Sequence, residues 1–274
     1  MSGKFVTLKL PMLFVGQLLD GLRIRAESWE HTKLYLSDGI VVDPDNPYVE
    51  ECNDEAEARQ IAQLAKQHGL HQAIVIITRT QLSQRLQFAF EEEWGGPDRG
   101  ILRKIEYNDD PAVFADISGI GDTMVFLAAD AEKARLIRPY LPNKLPVYST
   151  SQIFVGNDNI LTNYDLNGIR FVDMPWLLQP DHPAVMIYQR SNPPLSIDRE
   201  RLYALGIDSF RLIQLILDDK INTALPLDGV SGQIYLNGHN FQHMAIPAVF
   251  AQGHAQLFDA PNSQASPDPI INTP

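Results

Sequence analysis

The chain has 274 residues, 45% of them hydrophobic and 20% charged, which supplies a core for one large domain or two lobes and excludes a disordered chain. A formal net charge of −12, with no Lys/Arg-rich stripe to offset it, repels phosphate backbones and excludes nucleic acid as a partner. The single cysteine, Cys52, leaves neither an internal disulfide nor a thiolate zinc site within one chain.

No run of about 18 apolar residues is present, so no transmembrane segment is expected. Residues 1–19 place Lys4 ahead of an apolar stretch, but Lys9 and Pro11 interrupt it and no small-x-small cleavage site follows. Cys52 follows Val49-Glu-Glu, an acidic flank unlike a lipobox. A signal peptide and a lipid-attachment cysteine are therefore not expected within this sequence.

Residues 5–10 read as a strand, 16–26 as a short helix and 38–43 as another strand. From residue 53 the pattern becomes regular. Asp54-Glu-Ala-Glu57 reads as a capping box that opens a helix, with Ala58, Ile61, Ala62 and Ala65 on one apolar face until Gly69 stops it. Residues 73–78 are a continuous apolar strand, and 81–94 a helix with Leu82, Leu86, Ala89 and Phe90 inward. A strand at 101–107 follows, then a short helix begun by Pro111, a strand at 123–128, a helix at 131–140 and a strand at 145–149. Pro146 assigns that last segment to an edge or to a strand start.

Helices alternating with strands that are apolar throughout mean an α/β fold with a parallel sheet covered on both faces. A Rossmann-like lobe is expected over 53–160, after a short remnant at 1–52. Residues 161–257 hold a crossing between two bodies, a long helix and an antiparallel meander. The crossing is the run 168–183, where Pro175, Pro180 and Pro183 remove backbone donors, Asp173 ends a β-forming stretch and Trp176 suits a cleft edge. Ser196 or Asp198 can cap a helix to about residue 217, whose inward face is Leu202, Leu205, Phe210, Ile213 and Leu217. Asp228-Gly and Asn237-Gly favour positive φ and mark turns between short strands. The Pro-rich stretch 258–274 is expected to be disordered.

In an open parallel sheet, ligands sit beyond the carboxyl ends of the strands. Those ends carry Thr78, Arg79, Asn108, Asp109, Asp130, Ser149, Thr150 and Ser151, the candidates for a polar ligand cleft. The competing reading is that Thr80, Asp109 and Asp130 only cap the helices that follow. Gly119-Ile-Gly121 precedes a strand and is a turn, not a phosphate cradle. Gly229-Val-Ser-Gly232 is one residue short of a nucleophile elbow and sits in a hairpin, so no catalytic serine is expected there. His239 and His243 lie in the meander, where helical metal-ligand spacing has no meaning, and with His254 they read as surface histidines. His68 suits the favourable end of a helix dipole. Cys52 beside Glu50 and Glu51 is expected to be unreactive. Glu91-Glu-Glu93 reads as a solvated helix end. Pro175 and Trp176 form either a partner anchor or a plug between lobes, the plug being favoured because hinge packing is obligatory. No catalytic residue, metal site or cofactor is assigned.

Three stretches together resemble a known family: Leu166-Asn-Gly-Ile-Arg-Phe-Val-Asp-Met-Pro-Trp-Leu-Leu178, Arg201-Leu-Tyr-Ala-Leu-Gly-Ile-Asp208 and Leu227-Asp-Gly-Val-Ser-Gly232. They are similar, in the same order, to the C-terminal domain of LppC/LpoA-type outer-membrane lipoproteins, over roughly residues 53–255. The resemblance implies a type I periplasmic-binding-protein fold, two Rossmann-like lobes joined by crossing strands. The first of those lobes, about 100 residues in a domain of this size, is expected here in incomplete form, since 52 residues precede the capping-box helix.

The resemblance also implies a function: a non-enzymatic activator of a class A penicillin-binding protein, located in the periplasm. The other expectation is a periplasmic receptor that closes on an amino acid or a muropeptide fragment, and an enzyme comes last. A homodimer would follow from an unpaired sheet edge or an exposed hinge face.

Overall fold

A computed structural model describes residues 53–258, except 97–98, 118–120, 158–159, 219 and 239, together with three short strands before them. Those strands are β1 (Thr7–Leu8), β2 (Tyr35–Leu36), which pairs with β1 in parallel, and β3 (Val49–Glu51). Of the strand expected at 5–10, only Thr7–Leu8 is described. The expectations for 16–26, 38–43, Cys52, Gly119, the Leu217 side chain, His239 and the tail from 259 lie outside the described residues.

Helix α1 (Asp54–Gln67) begins one residue earlier than a capping box at Asp54 would place it. Asn53 is the N-cap and accepts from the Ala56 amide at 2.8 Å. That leaves Glu57 with no capping role, so its carboxyl is free to turn inward. Strand β4 (Gln72–Ile77), helix α2 (Gln81–Trp94) and β5 (Gly100–Glu106) follow. A 3-10 turn at Pro111–Phe114 then leads to β6 (Thr123–Ala128), helix α3 (Ala131–Ile137) and β7 (Val147–Ser149). Pro146 stands just before β7, at a strand start as its missing N–H requires, although β7 itself is interior to the sheet.

A short helix α4 (Ile160–Tyr164) precedes β8 (Ile169–Asp173). The order across the main sheet is β5-β4-β6-β7-β8, all parallel, and the sheet is then extended by β12 (Ile246–Ala251) and β13 (His254–Leu257), both antiparallel to their neighbours. The sheet therefore runs past residue 160: the β-forming stretch at the head of the crossing run pairs on both sides, with β7 and with β12. The chain leaves the sheet only after Asp173.

Beyond Asp173 come α5 (Pro175–Leu178), α6 (Pro183–Met186), the long α7 (Ile197–Leu217) and α8 (Ile221–Ala224). A second sheet combines β9 (Leu227–Asp228), β10 (Gln233–Asn237) and β11 (Asn240–Met244), with β3 added in parallel to β11. The meander expected up to residue 255 is thus split between two sheets, β9 to β11 in one and β12 and β13 in the other.

Alternation along the strands sorts the core. Ala73, Val75, Met124 and Phe126 face α1 and α2, where they meet Ala58, Ile61, Leu86 and Phe90. Ile74, Ile76, Val125 and Leu127 face the other layer with Phe114, Ile137, Phe154 and Phe171. Helix α7 belongs to neither layer. Its C-terminal half packs on the small sheet through Leu212, Ile213 and Ile216, and its N-terminal half meets Met174 and Trp176 through Tyr203, Ala204 and Ile207.

Candidate functional site

Asp173 is the last residue of β8 and is fully buried. Arg201, in the second turn of α7, grips it with both arms of its guanidinium: Nε donates to Oδ1 at 3.1 Å and Nη2 to Oδ2 at 2.7 Å. The same Nη2 donates to the carbonyls of Ser151 and Phe154 at 3.0 and 2.9 Å, and Nη1 to Asp198 at 2.9 Å. Such a bidentate fork fixes orientation as well as charge. Burial alone would lower the Arg201 pKa, but the charge of Asp173 and its hydrogen bonds, helped by Glu57 and Asp198, raise it above the usual value, so the guanidinium stays charged.

Glu57 approaches from α1, and its Oε2 accepts from the Ser151 amide at 2.8 Å. Burial, then the neighbouring carboxylates of Asp54 and Asp173, push its pKa up to about 8, so it keeps its proton at neutral pH. Asp54 is also raised, chiefly by burial, while the Gln152 amide donates to it at 3.0 Å. Around these groups lies a cavity of about 330 Å³, walled by Asn53, Asp54, Glu57, Gln152, Asp198 and Arg201 and by the apolar Met174, Leu202 and Leu205.

A second knot ties α7 to the small sheet. Asp208, fully buried, accepts at Oδ2 from the Ser231 amide at 2.7 Å and its hydroxyl at 2.6 Å, and at Oδ1 from Arg211 at 2.8 Å. Gly229 is required here, since a Cβ would stand 2.5 Å from both Asp208 Oδ2 and the Gly232 carbonyl oxygen. Trp176 lies between the two knots with no exposed surface. Its amide donates to Val230 O at 2.9 Å, its indole to Glu200 at 2.5 Å, and the Arg190 guanidinium sits 3.6 Å from its ring centroid.

Ser231 also lies 2.8 Å from His243 Nδ1. This is not a triad, because the carboxylate binds the serine rather than the histidine. The Ser231 proton is committed to Asp208, so His243 must donate to Ser231 and cannot act as its base. The reading of His243 as a surface histidine is corrected by this contact: it serves the joint.

The ligand-cleft candidates divide. Ser151 joins the network at Glu57 and Arg201, and Thr150 beside it is buried. The Ser149 hydroxyl is spent on Leu127 O at 2.7 Å. Thr78 is buried against the start of α2, its amide donating to Ser83 Oγ at 2.8 Å, and Arg79 forms an exposed pair with Glu106 at 2.8 Å. Asn108 accepts from the Asp110 amide at 3.3 Å. Thr80 and Asp130 cap α2 and α3, as the competing reading held. Asp109 does not cap: it adopts φ +68° and binds Lys133 at 2.6 Å, while Asp110 caps the 3-10 turn. Asp173, Pro175 and Trp176 meet at one place, with Pro175 buried as the first residue of α5.

Two further readings hold in part. His68 caps the C-terminus of α1, but burial and then Arg170 lower its pKa, and its Nδ1 lies 2.7 Å from the Tyr148 hydroxyl. In the run expected to be a solvated helix end, Glu92 is exposed as expected while Glu91 and Glu93 are half-buried, and all three are ion-paired, Glu91 to Lys104, Glu92 to Arg59 and Glu93 to Lys66. The sequence reading missed Glu57, Arg201 and Asp208. The available signal was an arginine and an aspartate set among Leu202, Leu205 and Ile207 on a helix too apolar to leave them in water. Among the described residues no cluster of His, Cys, Asp and Glu could hold a metal, and no helix is long and apolar enough to cross a membrane.

A parallel sheet closed by two returning antiparallel strands, with a second small sheet across a joint, defines the type I periplasmic-binding-protein-like class. A solved structure described as a "putative branched-chain amino acid ABC transporter" from Chromobacterium violaceum superposes with a TM-score of 0.71 at 28% identity, covering 90% of this chain and 100% of that one. The sequence model of a family described as "LppC putative lipoprotein" matches residues 115–242, a span that contains all three stretches quoted above. Among curated relatives, the penicillin-binding protein activator LpoA of Haemophilus influenzae is 25% identical over 186 residues, covering 65% of this chain and 32% of its own length. That of Photobacterium profundum is 24% identical over 217 residues, covering 66% and 35%. The chain thus spans about a third of the length of these curated relatives. The C-domain of Haemophilus influenzae LpoA, described as a regulator of PBP1A, superposes with a TM-score of 0.70 at 18% identity over 93% of this chain and 100% of that domain. In sequence and fold the chain resembles the LpoA C-terminal domain.

Proposed function

We propose that the chain is a non-enzymatic regulator of peptidoglycan synthesis that binds and activates a class A penicillin-binding protein, in the periplasm and at the outer membrane where LppC-type lipoproteins reside. The observation that carries this reading is the joint. In a receptor of this fold the strand ends and the facing lobe hold their polar groups ready for a ligand. Here Asp173, Ser151 and Arg201 are bound to one another, and Asp208 to Ser231. The three stretches that resemble the LppC/LpoA family supply all of these residues except Ser151. Asp173, Pro175 and Trp176 act as a fixed hinge that sets the angle between the bodies and hence the shape of the outer surface.

The test is a pull-down of purified class A synthase, followed by its glycan-polymerising rate with and without the chain. Binding with a faster rate supports the reading, and neither effect removes it. The cavity of about 330 Å³ favours a second reading, a receptor for an amino-acid-sized molecule, since that volume is at the lower end of ligand pockets. Under it, a thermal shift with free amino acids or muropeptides would exceed any effect of the synthase.

A further inference from the structure

The solvent-facing stripe of α2 is Gln81, Gln84, Arg85, Phe88 and Glu92, and Phe88 at its centre is 71% exposed. A phenylalanine on an otherwise polar helix face costs solubility and contributes nothing to the core beneath, which Leu86, Ala89 and Phe90 complete. Beside it, between α1 and α2, runs a groove of about 470 Å³ lined by Glu55, Arg59, Arg85, Ala89 and Glu92 as well as Phe88. Its floor is the small, buried Ala89, and ion pairs cross it at either end: Arg85 to Glu55 at 2.7 Å and Arg59 to Glu92 at 3.2 Å. An aromatic knob, an adjacent groove and a rim of paired charges are the parts of a binding hot spot.

The charges identify the occupant. The whole chain carries a net −12, yet this face holds two arginines and two glutamates and is neutral. A basic partner drawn by the acidic field would be steered elsewhere, whereas for a second copy, repelled at long range by the net charge, this neutral face adds no repulsion at contact. Arg85 lies one turn before Phe88 and Glu92 one turn after it. When two such helices cross antiparallel about a dyad close to Phe88, Arg85 of each comes beside Glu92 of the other, so that the Arg85–Glu55 and Arg59–Glu92 pairs of the two copies extend into alternating charge networks. Each Phe88 then enters the other's groove between Arg59 and Arg85, whose guanidinium groups favour an aromatic face. The patch is complementary to itself, as a two-fold interface must be.

We infer that the α1/α2 face is a homodimer interface centred on Phe88. This interface lies at neither the sheet edge nor the hinge, and it does not depend on the proposed synthase partner. The test is sedimentation velocity on the full chain over a wide concentration range, alongside Phe88→Asp. The inference expects a reversible dimer whose dissociation constant rises roughly 30-fold or more in the variant, as for loss of a central hot spot. Because Phe88 is exposed, an unchanged melting temperature will show that the variant folds. A Phe88→Cys/Cys52→Ser chain treated with a short thiol-to-thiol cross-linker should give a covalent dimer. A wild-type chain that stays monomeric overturns the inference, as does a dimer indifferent to Phe88→Asp. A monomer whose Phe88→Asp variant loses synthase binding would assign the face to the synthase, which also overturns it.

Discussion

Asp173 and Arg201 are joined by two parallel hydrogen bonds, 3.1 and 2.7 Å long, that lock the end of the central strand β8 to the second turn of α7. Because Arg201 also holds the carbonyls of Ser151 and Phe154, one guanidinium fixes strand, loop and long helix together. The carboxyl edge of the sheet, where this fold class usually receives a ligand, is here part of the architecture.

Removing one partner of that pair should be costly and removing both much less so. Arg201→Met leaves Asp173 buried and uncompensated, with an expected loss of about 3–5 kcal/mol in denaturant unfolding. Adding Asp173→Asn should recover a good part of it, because a neutral amide can still accept from its own Met174 amide, now at 2.8 Å. Additive losses in the double variant would show that the two residues do not act as a pair.

Glu57 gives the chain a pH dependence of defined sign. Its carboxyl titrates at about 8 in the folded chain against 4.5 when unperturbed, so the folded state binds the extra proton between those values. Stability from this source is complete below the unfolded value and is lost as pH rises through 8. Asp54, raised in the same direction, adds to the slope. Thermal melts from about pH 5 to about pH 9 should fall in wild type. Glu57→Gln, which keeps an acceptor for Ser151, should flatten the curve and be the more stable form at the alkaline end.

The Gly229–Ser231 turn should tolerate almost no change. Gly229→Ala forces a Cβ to within 2.5 Å of Asp208 Oδ2 and of Gly232 O, so the turn must open, with an expected cost of about 1–3 kcal/mol or more. Ser231→Ala removes one of the donors to a buried carboxylate, at about 1–3 kcal/mol. Equal and negligible shifts in urea midpoints for both would mean that the knot contributes nothing.

Trp176 separates packing from polarity. Trp176→Ala should cost about 3–5 kcal/mol as a fully buried aromatic. Trp176→Phe keeps most of the volume but leaves Glu200 without its indole donor, and about 1–3 kcal/mol is expected. Hydrogen exchange of the Trp176 amide, which is held by Val230 O, should quicken in the alanine variant more than that of the β4 amides.

Much of the parallel lobe could be read from the residues, because its signals are local. Apolar strands such as 73–78 and caps such as Thr80 and Asp130 work over three or four positions. The capping residue of α1 was displaced because Asn53 and Asp54 are both good caps, and only the fold decides that Glu57 faces Ser151. Which sheet a strand joins is a long-range matter: Val172 pairs with Pro247, and nothing in residues 169–173 announces it. The joint was hidden for the same reason. Asp173 and Arg201 are 28 residues apart, and Asp208 and Ser231 are 23 apart, so no spacing rule links them. Their three stretches could be singled out as a likeness, but their contacts with one another could not be read.

The most direct test of the central claim places the intact chain with a purified class A penicillin-binding protein and, separately, with a panel of amino acids and muropeptides, measuring synthase rate and chain melting temperature together. A joint built from the cleft's own polar residues predicts a faster synthase and no melting shift with any small molecule. A large melting shift with one small molecule and an unchanged synthase rate would contradict it.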